Sequence, residues 1–110
     1  MSRTEQEVLQ DALHHLAYLD RYALLDLEQD VVIDAIALRL SAMIDALGVL
    51  PADVLADLFG RTWPAMRGLR NRIAHGYHTV NPGVLRITVD SELPRVQATI
   101  ERRLRSIDPG

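Results

Sequence analysis

The sequence predicts an all-α fold, a bundle of four to five helices in a single domain spanning residues 1–110. Two observations predict it. Hydrophobic residues are 48% of the chain but aromatic residues only 5%, so the apolar material is aliphatic and suits packed helices better than a β-sandwich. Apolar positions recur at helical spacing along most of the chain. There is no cysteine, which removes disulfides and thiolate metal sites and fits a reducing cytoplasm. No apolar run reaches the roughly 18 residues of a membrane span, and the N-terminus lacks a signal-peptide pattern, so a soluble cytoplasmic protein is expected.

Residues 4–25 carry Leu9, Leu13, Leu16 and Tyr22 at helical spacing, with Glu5, Glu7 and Asp11 near the start. Acid there complements the helix dipole, so a long amphipathic helix is expected. Residues 26–30 form a polar break. In the second helix, 31–48, the polar positions Asp34, Ser41 and Asp45 make a narrow stripe, and almost everything else is apolar. A helix this apolar is buried on two sides, centrally in the bundle or at a subunit interface; a homodimer is expected. Gly48 ends it, and Pro51 suits the start of a short third helix reaching Gly60. Pro64 opens a fourth helix running to about His75, with Thr62 or Trp63 before it and Gly76 as its stop. Asn81-Pro82-Gly83 is a turn. Residues 84–89 read locally as a strand, although a lone strand would have no partner. Ser91 is expected to cap a last helix over 92–106.

The net charge of −3 conceals an uneven distribution. Residues 1–60 hold three Arg against eleven Asp and Glu. Residues 61–89 hold Arg61, Arg67, Arg70, Arg72 and Arg86 and no acid. Such a block is a plausible footprint for phosphate; the plainer reading is a basic face that pairs with the acidic half of the same protein.

Inside that block stands Arg70-Asn71-Arg72-Ile73-Ala74-His75-Gly76-Tyr77. Cleaving a phosphodiester without a metal needs a group that exchanges a proton near neutral pH, which His supplies. It also needs a fixed cation for the charge that builds on phosphorus, which the planar fork of Arg supplies. On an ideal helix Arg70 and His75 stand roughly 140° apart. The helix must therefore end near His75, or the site must combine two subunits. At a helix C-terminus a protonated His is favoured by the dipole, which suits a general acid or a phosphate-binding cation. His78 follows His75 by three residues, but no carboxylate or cysteine is near, so no metal site is expected. Tyr77 taken alone is a half-buried core residue with its hydroxyl in water. His14 and His15 read as helix-surface residues. No phosphate-binding glycine loop and no cofactor motif is present.

The spacing Arg70-x4-His75-x-Tyr77 resembles the signature of the HEPN superfamily, and within it the HepT-like toxins encoded beside a small nucleotidyltransferase antitoxin. The likeness extends to Arg39-Leu40, Ile44-Asp45-Ala46, Trp63-Pro64, Met66 to Asn71, Val80-Asn81 and Leu93-Pro94, covering about residues 30–105. At Ile44 and Asp45 the family's pattern has a small residue and a Glu, so the placing of a supporting carboxylate is open. The resemblance implies a homodimeric HEPN-type helical bundle, with a short helix rather than a strand at 84–89. It implies a metal-independent ribonuclease in which Arg70 and His75 are catalytic, with Asn71 and Asp45 in support. Arg67, Arg72 and His78 would contact RNA phosphates. Tyr77 matches the tyrosine to which the antitoxin transfers AMP, adding phosphate charge beside the basic groove. The expected partners are RNA, a second copy and that nucleotidyltransferase. Two other readings stay open: a non-catalytic binding subunit of a two-component nucleotidyltransferase, and a purely structural helical dimer or regulator.

Overall fold

In the computed structural model, which describes residues 3–76 and 80–107, every regular element among the described residues is helical. Helix α1 (Glu5–Tyr22) starts at a capping box. The Glu7 amide donates to the Thr4 hydroxyl at 3.1 Å, and the Thr4 amide donates to the Glu7 carboxylate at 3.0 Å. Hydrogen bonds to its carboxylate from the Thr4 amide and the Thr4 side chain favour ionised Glu7 and hold its carboxyl below its ordinary pKa. α1 stops at Tyr22, three residues before the expected end, and leaves Leu24 and Leu25 exposed in the connection.

Helix α2 (Asp30–Leu47) ends where Gly48 donates its amide to the Ile44 carbonyl. It packs against α1 and against α4 and α5, introduced below, so it is the central helix of the bundle. Its inner stripe of Ile36, Leu40, Met43, Ile44 and Leu47 meets Leu9, Leu16 and Leu19 of α1 and Ile100 in one fully buried cluster. Burying each such side chain contributes about 1.5–3 kcal/mol. The outer stripe is uncovered: Val31 and Leu38, seven residues apart on one face, are 68% and 74% exposed.

Helix α3 (Ala52–Phe59) starts after Pro51, and Gly60, at φ 54°, turns the chain directly into α4 (Thr62–Ala74). α4 begins two residues earlier than Pro64 suggests, so Thr62 and Trp63 lie inside the helix instead of before it. Pro64 is tolerated because the first-turn amides have no helical acceptor to lose. α4 ends with His75 as its C-cap, and Gly76 follows at φ 129°, a conformation that favours glycine.

The chain from residue 82 to 107 is one helical rod in three parts. α5 (Pro82–Ile87) is capped by Asn81, whose side chain accepts from the Gly83 amide at 2.7 Å. A π-helical turn (Thr88–Glu92) leads into α6 (Leu93–Ile107). The locally strand-like residues 84–87 are thus helical. Ser91 caps nothing, because no helix begins there. The π turn has a physical cause in Pro94, which has no amide for the Asp90 carbonyl and whose ring would crowd it. Widening the turn passes the Leu93 amide to the Thr88 carbonyl instead. α6 packs on α1 and α3. Arg103 fastens that end, with Nε and Nη2 on the Glu5 carboxylate at 2.9 and 3.1 Å and Nη1 on Asp57 at 3.2 Å.

Candidate active site

The packing of α4 on α2 brings Arg70 against Asp45, twenty-five residues earlier in the chain. Arg70 Nε donates to Asp45 Oδ1 at 2.7 Å and Nη2 to Oδ2 at 3.2 Å. This bidentate fork fixes the plane of the guanidinium. It leaves the remaining N–H groups of Arg70 available to another acceptor. Of the two positions where the chain departs from the family's pattern, Asp45 places its carboxylate on Arg70, and Ile44 is buried in the core.

Beside the fork opens a cleft of about 290 Å³, lined by Asp45, Arg67, Arg70 and Asn71 with Ile44, Gly48 and Val49. Arg67 lies 5.9 Å from the Trp63 ring. Four of the residues singled out in the sequence, Asp45, Arg67, Arg70 and Asn71, therefore share one concave surface. One half-turn round the helix, Arg72 lines a different groove of about 260 Å³ between α4 and α5, with Met66, Leu69, Val84 and Ile87. The arginines of the basic block do not all face one way.

His75 stands exposed at the end of α4, one turn beyond Asn71, to whose carbonyl its amide donates at 3.1 Å. The helix thus ends at His75, the first of the two alternatives the spacing left, yet His75 does not line the cleft. Tyr77 and His78 lie outside the described residues. No three His, Asp or Glu residues come together in a metal-ligating group among the described residues.

The basic block is partly paired with the acidic half, as the plainer reading of the charge anticipated. Arg70 holds Asp45, and Arg86 reaches Glu28 at 4.0 Å. Among the described residues Arg61, Arg67 and Arg72 have no carboxylate partner. The block therefore retains uncompensated cations on both flanks of α4.

Sequence reading missed one cluster. His15, taken for a surface residue, is half-buried with Nδ1 at 3.2 Å from Nη1 of Arg39 on α2. Nothing in the spacing along α1 could have shown it, because its partner is on another helix. No helix is long and apolar enough to cross a membrane among the described residues.

No curated protein and no solved structure matches the chain. A family model does, described as "Ribonuclease HepT-like", and it spans residues 6–103, nearly the whole bundle. With its all-α fold and the Arg70 to His75 motif at the end of α4, the chain belongs to the HepT-like ribonuclease family of the HEPN superfamily.

Proposed function

We propose that the protein is a metal-independent endoribonuclease, the toxin of a pair whose antitoxin is a nucleotidyltransferase. The observation that carries the reading is the Asp45–Arg70 fork at the mouth of the cleft. It gives a cation of fixed orientation with donors to spare, which is what stabilising charge on a phosphorane-like transition state requires. His75 assists attack of a ribose 2′-hydroxyl on the adjacent phosphorus. The P–O5′ bond breaks, giving a 2′,3′-cyclic phosphate and a free 5′-hydroxyl. Asn71 orients the phosphate or His75, Asp45 orients Arg70, and Arg67, Arg72 and His78 hold flanking phosphates.

The protein acts as a cytoplasmic homodimer, supported by the uncovered apolar stripe of Val31 and Leu38 on α2. A second copy on that stripe would remove it from water. A second copy would also allow Arg70 and His75 of different subunits to serve one phosphate. Tyr77 is the acceptor of AMP from the nucleotidyltransferase. The added phosphate blocks RNA by charge and bulk.

The test is digestion of mixed tRNA and mRNA in EDTA by three preparations: wild type, His75→Ala, and wild type treated with the neighbouring nucleotidyltransferase and ATP. Wild type alone should cut, leaving 2′,3′-cyclic ends. The treated protein should gain mass in whole AMP units on Tyr77. Absence of cleavage by unmodified dimer contradicts the ribonuclease reading and favours the non-catalytic binding subunit, and an unmodified Tyr77 contradicts the antitoxin mechanism.

A further inference from the structure

The edge where α1 meets α2 concentrates a chemistry that the catalytic cleft does not use. Arg39 lays its guanidinium over the Tyr18 ring, 4.0 Å from the centroid, while Nη1 contacts His15. Arg21 approaches the same ring at 5.3 Å, and the exposed His14 ring stands edge-on to it at 5.2 Å. Two guanidiniums, two imidazoles and a phenol thus share one patch, in the half of the sequence richest in acid.

Locally the acid is turned away or already paired. Among the described residues neither Arg21 nor Arg39 pairs with a carboxylate. On α2 the nearest acids, Asp34 and Asp45, lie roughly 140° and 120° round the helix from Arg39. On α1, Asp20 lies roughly 200° round from Tyr18. Asp11 shares the face of Tyr18 but bonds Arg3 at 3.2 Å. Burial pushes the His15 pKa down against the opposing pull of Asp11, and Arg39 and His14 lower it further. A neutral His15 accepts from Arg39 and does not replace an anion there. Arg39 is held in place by groups that leave its charge uncompensated.

We propose that this patch is a second contact for single-stranded RNA, with a backbone phosphate on Arg39 and Arg21 and an unpaired base against His14 and Tyr18. Unpaired bases and their phosphates are what a cation beside stackable rings recognises. The proposal rests on RNA as the substrate of the cleft and adds a place for strand outside it.

The experiment measures binding of a fluorescent oligouridine of about twelve nucleotides, fully 2′-O-methylated so that it cannot be cut. Arg39→Gln should weaken binding about fivefold at low salt through loss of a charge-assisted phosphate bond. It should also reduce the slope of log affinity against log salt by about 0.7, the share of one phosphate contact. Arg21→Gln, at an exposed residue outside the core, should reduce affinity and slope in the same direction, and Arg39→Lys should restore most of the slope. Absent binding by wild type, or equal affinity and slope in wild type, Arg39→Gln and Arg21→Gln, overturns the proposal. Protein that cuts ordinary RNA but binds the oligomer independently of Arg39 and Arg21 loses this site and keeps its ribonuclease reading. Protein that binds through Arg39 without cutting does the reverse.

Discussion

Arg70 and Arg103 make the same kind of contact in different surroundings. Each guanidinium grips a carboxylate from a distant helix with two hydrogen bonds, and their side chains are similarly exposed, 35% and 31%. Arg103 also holds a second carboxylate, so all three of its guanidinium nitrogens are engaged and α1, α3 and α6 are tied together. Glu5 first, then Asp57, push its already high pKa further up. Arg70 holds one carboxylate and faces a cleft. In the proposed function, the number of carboxylates around each arginine separates a fastening from a tool: one acid orients the charge, and two consume it.

The sharpest way to break that comparison is to truncate both. Arg70→Ala should lower cleavage by about 10²–10³-fold through lost transition-state stabilisation and leave the melting temperature nearly unchanged, since an exposed pair is worth about 0–1 kcal/mol. Arg103→Ala should do the opposite, lowering the melting temperature by a few degrees at unchanged cleavage. Melting curves and initial rates on both variants decide it. Asp45→Asn is the intermediate case: the guanidinium stays but loses half its orientation, and the rate should fall about tenfold. The smallest effect concerns the α1–α2 edge. The pKa of His15 is lowered by folding from its ordinary value of 6.5, so the unfolded chain binds the proton more readily. The stability it contributes is present above about pH 6.5 and is lost as pH falls below that value. Melting measured from pH 7.5 to 5 should decline less in His15→Gln than in wild type; parallel declines would place the titrating group elsewhere.

Much of this was legible in the sequence where the signal is local. Gly48 and Gly76 end their helices as expected, Gly76 at a φ that favours glycine and Gly48 in ordinary helical backbone, and the inner stripe of α2 is buried as its spacing requires. Local signals competed elsewhere. Ser91 resembles a cap and residues 84–89 a strand, but Pro94 and the absence of a strand partner favour one rod with a π turn. Pro64 marks a first turn rather than a first residue. In the candidate site, Arg70 was legible as a motif and Asp45 as a supporting residue through the resemblance alone; their fork was not, because spacing along α4 says nothing about which residue of α2 faces it. The same limit hid the His15–Arg39 contact. The basic block was legible as a sum of charges, but α4 distributes Arg67 and Arg72 to different flanks.

The most direct measurement is a double-mutant cycle on cleavage in EDTA, comparing wild type, Arg70→Ala, Asp45→Asn and the double variant. If Asp45 acts only by orienting Arg70, the double variant should cleave at the rate of Arg70→Ala, with no further loss. Losses that multiply would show that Asp45 contributes independently and contradict the fork as the basis of the site.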